Sequence, residues 1–224
     1  MKQQSLDLEF QNYIEMQDMQ SCSFFEEIHE RVNNFLSSDE LSLVFFGKED
    51  LAKSFFFFAL HNLLSKKFNC LYHSSKEKND FLFSKNTKTE IIFLDSYNNL
   101  FGFEEGEKKL FDLFNLSKEQ KIKLIFNNSI EKSQKIDLKD LESRLSSSLQ
   151  LNFPDLSDED KKIIVLNFMK KRGLILNNRS IDFIINRYSR SLNDLIELSY
   201  KLDKISLIEK KNITIPLIKK FINL

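Results

Sequence analysis

Gly47, Lys53 and Ser54 fall in the stretch GKEDLAKS at the spacing of a phosphate-binding loop, with Ala52 standing where the pattern GxxxxGK(S/T) has its second glycine. Such a loop cradles phosphate with backbone N–H groups, adds the charge of a lysine, and offers a hydroxyl to magnesium. Lys53 and Ser54 are the right groups for the last two tasks, while the methyl of Ala52 lies where the backbone must approach the ligand closely. An ordinary strand-to-helix turn with an exposed lysine is the competing reading. Asp95 supplies a second group, because it ends the apolar run IIFLD, and an acid at that position of a nucleotide site holds the magnesium shell. The next residue is Ser96 and not a second acid, so the carboxylate that activates water in a hydrolysing enzyme is missing. Asp95 can equally be a turn residue capping the segment that follows. Together these residues describe a site that holds nucleotide and hydrolyses it poorly.

The elements that must position these groups are legible in the hydrophobic pattern. Short β-branched or aromatic runs recur at 41–46, 69–72, 91–94, 122–126 and 149–153, and most are separated by stretches of helical character. Near-continuous apolar strands alternating with helices predict a parallel sheet covered by helices on both faces, which is an α/β domain extending to about residue 153. After Pro154 no strand pattern remains. Ser157 with Asp160 forms a capping box, and IIVLNFMKKRG ends in basic residues and Gly173, which predicts a helix over about 158–172. Further helices are predicted over about 179–189, behind Ser191, and behind Thr214 with Pro216 in the first turn. This part is a small all-helical domain.

Composition narrows the function classes. Thirty-three basic residues balance thirty-three acidic ones, which removes the uniform positive field that non-specific nucleic-acid binding needs. Direct sequence-specific DNA binding is not expected. The N-terminus has no signal-peptide pattern and no apolar run is long enough to span a membrane, so the expected location is cytoplasmic without a membrane partner. Cys22 and Cys70 form no CxxC pair, and His29, His61 and His73 form no ligand-spaced cluster, so no metal is expected beyond magnesium carried by a nucleotide. Arginine occurs only at 31, 144, 172, 179, 187 and 190, the other cations being lysine. A position that keeps arginine against this background is mildly more apt to need a planar fork of donors.

The stretch LKDLESRLSSSLQLNFPDLSDEDKKIIVLNFMKKRGLIL, beginning at residue 138, resembles DnaA-type AAA+ proteins: a Leu-x-x-Arg-Leu-like box, a strand, a proline, then the first helix of the lid. Among them the chain is most similar to the Hda family of DnaA-homologous regulators of replication initiation, through LSDEDK at 156–161 and ITIPLIKKFINL at 213–224. The resemblance implies an AAA+ base at 11–153 and a lid at 154–224, and places the family's end at Leu224, without the helix-turn-helix DNA-binding domain of DnaA. It also gives meaning to the N-terminus. QQSLDL matches the Q-x-S-L-x-L peptide by which Hda-like proteins bind the DNA polymerase sliding clamp, in a flexible tail at 1–10. There the amide of Gln3 would satisfy the rim of a groove beside Ser5, and Leu6 and Leu8 would enter an apolar pocket.

Carried over residue by residue, Arg144 in LESRL matches the family's arginine finger, which projects into a neighbour's ATP site and stabilises charge on the transferring phosphoryl group. A surface arginine paired with Glu142 or Asp140 is the plain alternative. The first sensor falls on Asn127, Asn128 or Ser129, with Asn128 the assigned nucleotide contact. ADP with magnesium is the family's ligand, but the lid's sensor arginine falls at Asn193, Arg190 lies three residues away, and the tryptophan after the finger is replaced by Ser147 or its neighbour. The resemblance therefore implies a negative regulator of initiation and not an enzyme in its own right. It would bind the sliding clamp of DNA polymerase III and stimulate hydrolysis of ATP held by DnaA; a homodimer is left open. The competing function is a P-loop ATPase or clamp-loader-like subunit that hydrolyses its own nucleotide, and a third is a structural subunit in which Arg144 is idle.

Overall fold

The β-branched and aromatic runs pair into one sheet, seen in a computed structural model that describes residues 15–48, 50–74, 88–128, 135–209 and 213–221. In chain order the base contains α2 (Phe25–Ser37), β1 (Ser42–Phe46), α3 (Asp50–Leu64), β2 (Cys70–Ser74), β3 (Ile91–Asp95), a 3-10 turn (Tyr97–Leu100), α4 (Glu104–Gln120), β4 (Lys123–Asn127), α5 (Lys139–Ser147) and β5 (Leu149–Asn152). All strand pairings are parallel, in the order β2-β3-β4-β1-β5. The fold class read from the sequence is the one observed.

Parity along the strands explains why the runs are continuous and not alternating. Val44, Ile92, Leu94, Leu124 and Phe126 turn to one face, where Tyr97, Leu110, Leu113 and Phe114 and then Leu141 and Leu145 cover them. Phe45 and Phe93 turn to the other face and meet Phe57 of α3, with ring centroids 6.0 and 5.1 Å away. Since α3 presents Phe55, Phe56 and Phe57, all buried, its FFFF run is a core wedge for that face. Asp95 shares the parity of Phe93, and its register partner on β4 is Asn127. Both side chains are therefore delivered to the α3 side at the carboxyl ends of the strands.

The second unit contains α6 (Asp158–Lys171), α7 (Asn178–Arg187), α8 (Leu192–Glu209) and α9 (Ile215–Phe221), with α1 (Met16–Met19). The capping box read from the sequence forms: Ser157 Oγ accepts from the Asp160 N–H at 3.1 Å, and the Ser157 N–H donates to the Asp160 carboxylate at 3.1 Å. The family resemblance implies a base at 11–153, whereas packing groups residues 15–25 with the helical unit. The cause is polar as well as apolar. Asp160 accepts from the Ser23 N–H at 2.6 Å and from its hydroxyl at 2.8 Å, Asn167 Nδ2 donates to the Asp18 carbonyl at 2.7 Å, and Lys171 pairs with the Asp18 carboxylate at 2.6 Å. Met16 and Met19 are buried beside these contacts. No helix among the described residues is long and apolar enough to cross a membrane.

Candidate functional site

The site lies at the carboxyl ends of β1, β3 and β4, against the first turn of α3, where ligands of open α/β sheets bind. Asp95 is 1% exposed and fully engaged by its neighbours: Tyr72 OH donates to Oδ2 at 2.9 Å, Asn127 Nδ2 to Oδ1 at 2.7 Å, and Ser96 Oγ to Oδ1 at 3.4 Å. Asn127 Nδ2 also reaches Ser54 Oγ at 3.3 Å. Three of the groups a magnesium shell would draw on are thus linked side chain to side chain. Nothing in the sequence pattern singles out Tyr72. Its register partner is Phe93, so Asp95 is its diagonal neighbour on one face of the sheet, a relation visible only once the strands are paired.

Around the near-phosphate loop the helix starts early. α3 begins at Asp50, which leaves only residues 47–49 between β1 and the helix. Lys53 therefore sits three helical residues in, about 4.5 Å along the axis from the first. It is 1% exposed, and its Nζ donates to the backbone carbonyl of Asn128. The exposed lysine of the alternative reading is not what forms. Ala52 is buried. Gly47 has φ +138°, and a Cβ there would lie 2.4 Å from the carbonyl oxygen of Phe153. The glycine is demanded by the close passage of the chain after β5, whatever the site binds.

Beside this cluster opens a cleft of about 520 Å³, lined by Phe46, Gly47, Lys48, Asn128, Phe153 and Asp155 among others. Lys53, Ser54 and Asp95 are not on its wall. Among the described residues that line it, the charged side chains are one cation, Lys48, and one acid, Asp155. The buried oxygens Asn127 Oδ1 and Asn128 Oδ1 lack a hydrogen-bond partner among the described residues. Both are acceptors and call for a donor, which a phosphate oxygen is not. As arranged, the residues fit a nucleoside diphosphate with magnesium poorly, since the groups that would bind phosphate and the space that would hold it do not coincide. Among the first-sensor candidates, Asn127 is the one in the Asp95 cluster; Asn128 contributes its carbonyl to Lys53 and lines the cleft, and Ser129 lies outside the described residues.

Arg144 is in the last turn of α5 and half-buried. Its carbonyl accepts from Ser147 Oγ and Ser148 Oγ, both at 2.9 Å, while its guanidinium has no ion pair with Glu142, Asp140 or any other described residue. The start of α5 is held from α4. Glu107, 2% exposed, accepts from the N–H groups of Asp137 at 3.1 Å and Leu138 at 2.7 Å, and from Gly102 at 2.7 Å. Burial alone would raise the Glu107 pKa, but the three backbone donors outweigh it and hold the carboxyl below its ordinary value. Gln3, Ser5, Leu6 and Leu8 lie outside the described residues.

Comparison with known proteins places this geometry. Residues 158–222 match the family model described as the lid domain of Hda. Domain III of the Thermotoga maritima replication initiation protein DnaA superposes with a TM-score of 0.76 at 16% identity, covering 92% of this chain and 93% of that one. The chain thus carries an Hda-type lid at 158–222 on a fold shared with DnaA domain III. AMPPCP-bound DnaA from Aquifex aeolicus matches with a TM-score of 0.59 at 18% identity, over 81% of this chain and 61% of that one. The Thermotoga maritima RuvB branch migration motor, a wider relative in fold, matches at 0.60 and 14% over 88% and 68%. An uncharacterized protein of Haemophilus influenzae is 34% identical over 137 residues, 60% of this chain and 59% of that protein.

Within the Hda-type lid, Arg172 crosses from the end of α6 to Asp203 of α8, with Nε and a terminal nitrogen 2.7 and 2.6 Å from the same carboxylate oxygen. Its guanidinium also lies 4.5 Å from the centroid of the Tyr200 ring. This is a use of arginine that lysine cannot copy. Arg190 is exposed and 3.7 Å from Asp158, and Asn193 is exposed near the start of α8.

Proposed function

We propose that the protein is a negative regulator of chromosomal replication initiation that stimulates, in trans through Arg144, the hydrolysis of ATP bound to DnaA while tethered to the sliding clamp by residues 3–8. The observation that carries the reading is the state of Arg144. Its backbone is fixed by two serine hydroxyls, and its guanidinium is unspent among the described residues. In an Hda-like chain, that is a cation available to a neighbouring subunit's phosphates. A fork of donors aimed at developing phosphoryl charge is the chemistry of a finger, and a finger acts on its partner's nucleotide, so the regulator itself needs no turnover. Its own ATPase activity would be absent or weak, since Ser96 follows Asp95 and Asn193 replaces the lid arginine.

The test is conversion of DnaA-bound ATP on clamp-loaded DNA with wild-type protein, Arg144→Ala, Arg144→Lys, and a Leu6→Ala/Leu8→Ala tail variant. A complete finger contributes about 10³–10⁵ in rate. Both Arg144 variants should fall far below wild type, the lysine included, because it keeps the charge but loses the fork. The tail variant should lose activity together with clamp binding. Wild-type rates from both Arg144 variants refute the finger, and clamp binding retained by the tail variant refutes the tether.

A further inference from the structure

We propose that the near-phosphate loop is a nucleotide-independent lock, in which Lys53 ties the first turn of α3 to the end of β4 in place of a bound phosphate. The proposal is separate from the trans-acting role, which rests on Arg144. Five observations converge on it. The connection from β1 to α3 is three residues long, so a helical turn occupies the stretch that would wrap phosphate. Lys53, buried in that turn, spends its ammonium on the carbonyl of Asn128, just beyond β4.

The magnesium-side groups are closed among themselves as well. Asp95 takes hydrogen bonds from Tyr72, Asn127 and Ser96, and Asn127 joins it to Ser54. The adjoining cleft excludes Lys53, Ser54 and Asp95 from its wall and carries an acid, Asp155. Gly47, the remaining match to the phosphate-loop pattern, is accounted for by the 2.4 Å approach to Phe153. Each residue that spells the motif therefore has an internal structural use. Three strand ends, β2, β3 and β4, and one helix start are joined through Tyr72, Asp95, Asn127, Ser54 and Lys53, which lets the sheet's ligand-side edge stand folded with no nucleotide in it.

Thermal melting of the full chain with magnesium and ADP or ATP tests the proposal. A nucleotide present at about 100 times its Kd would raise the Tm of a chain this size by about 5–10 °C. The expected change is under about 1 °C, and Lys53→Met should lower the nucleotide-free Tm by about 4–10 °C, because it removes a buried cation's hydrogen bond to the half-buried carbonyl of Asn128. A saturable rise in Tm that Lys53→Met abolishes overturns the proposal, as does a Lys53→Met protein whose nucleotide-free Tm equals or exceeds the wild type's. Ala52→Gly restores the motif and is expected to remain unresponsive to ADP; binding by that variant would assign the exclusion to the missing glycine and not to the lock. Where Lys53→Met yields no folded protein, equilibrium dialysis of the wild type with labelled ADP decides alone, retention near one per chain overturning the proposal and none supporting it.

Discussion

Replacing Glu107 by glutamine changes one heavy atom and removes the charge that organises the approach to α5. The carboxylate receives three backbone N–H groups, from Gly102, Asp137 and Leu138, at distances between 2.7 and 3.1 Å. Leu138 is the N-cap of α5 and has no side chain to cap it, so Glu107 caps that helix from α4. Glutamine keeps one acceptor oxygen and turns an NH₂ toward N–H donors. Hydrogen bonds to a charged acceptor are worth about 1.5–3 kcal/mol each, and with one bond lost outright and the others weakened the expected cost is about 2–4 kcal/mol. For a chain of this length that lowers Tm by about 5–15 °C, read by calorimetry at neutral pH. The pH dependence gives the sharper test. The Glu107 pKa is depressed in the folded state, so its contribution is present above the ordinary glutamate pKa and is lost as pH falls through the depressed one. The gap between wild type and Glu107→Gln should therefore be constant near neutrality and narrow in acid. A variant within about 1 °C of wild type, or a gap that does not narrow, refutes the remote-cap argument. Because α5 carries Arg144, the trans-acting role proposed above adds a second expectation: the same substitution should slow conversion of DnaA-bound ATP, though less than Arg144→Ala.

Two further outcomes follow from the packing. Gly47→Ala should cost more than about 3 kcal/mol or give insoluble protein, since its Cβ meets the Phe153 carbonyl at 2.4 Å and its φ of +138° is strained for any side chain; soluble, wild-type-like melting would contradict this. In the lid, Arg172→Lys should lose about 1–3 kcal/mol in urea unfolding, because lysine cannot reproduce the two contacts to Asp203 and the stacking on Tyr200 together; an unchanged midpoint would mean the fork is not used.

The fold was legible because its signals are local. Continuous apolar runs report strands buried on both faces, and Ser157, Ser191 and Thr214 each stand just before a helix start, at Asp158, Leu192 and Ile215. The placement of residues 15–25 was not, because MQDM and the serine after Cys22 carry no sign that their partners are Asp160, Asn167 and Lys171, more than a hundred residues on. At the site, spacing identified Gly47, Lys53, Ser54 and Asp95 but not the direction in which they spend their polar groups. Lys53 reads as a ligand to phosphate and bonds to a carbonyl; Tyr72 reads as an ordinary strand aromatic and holds Asp95. Motif spacing constrains where side chains begin, whereas hydrogen-bond allegiance depends on which strand ends the topology brings together.

Asp160 closes the N-terminus of α6 and grips Ser23 with the same carboxylate. Asp18 and Ser23 thus fasten residues 15–25 to the first lid helix. A disturbance of residues 15–25 would therefore be felt at Asp160, Asn167 and Lys171, and acid that protonates Asp160 would slacken the anchor and fray the helix in one event.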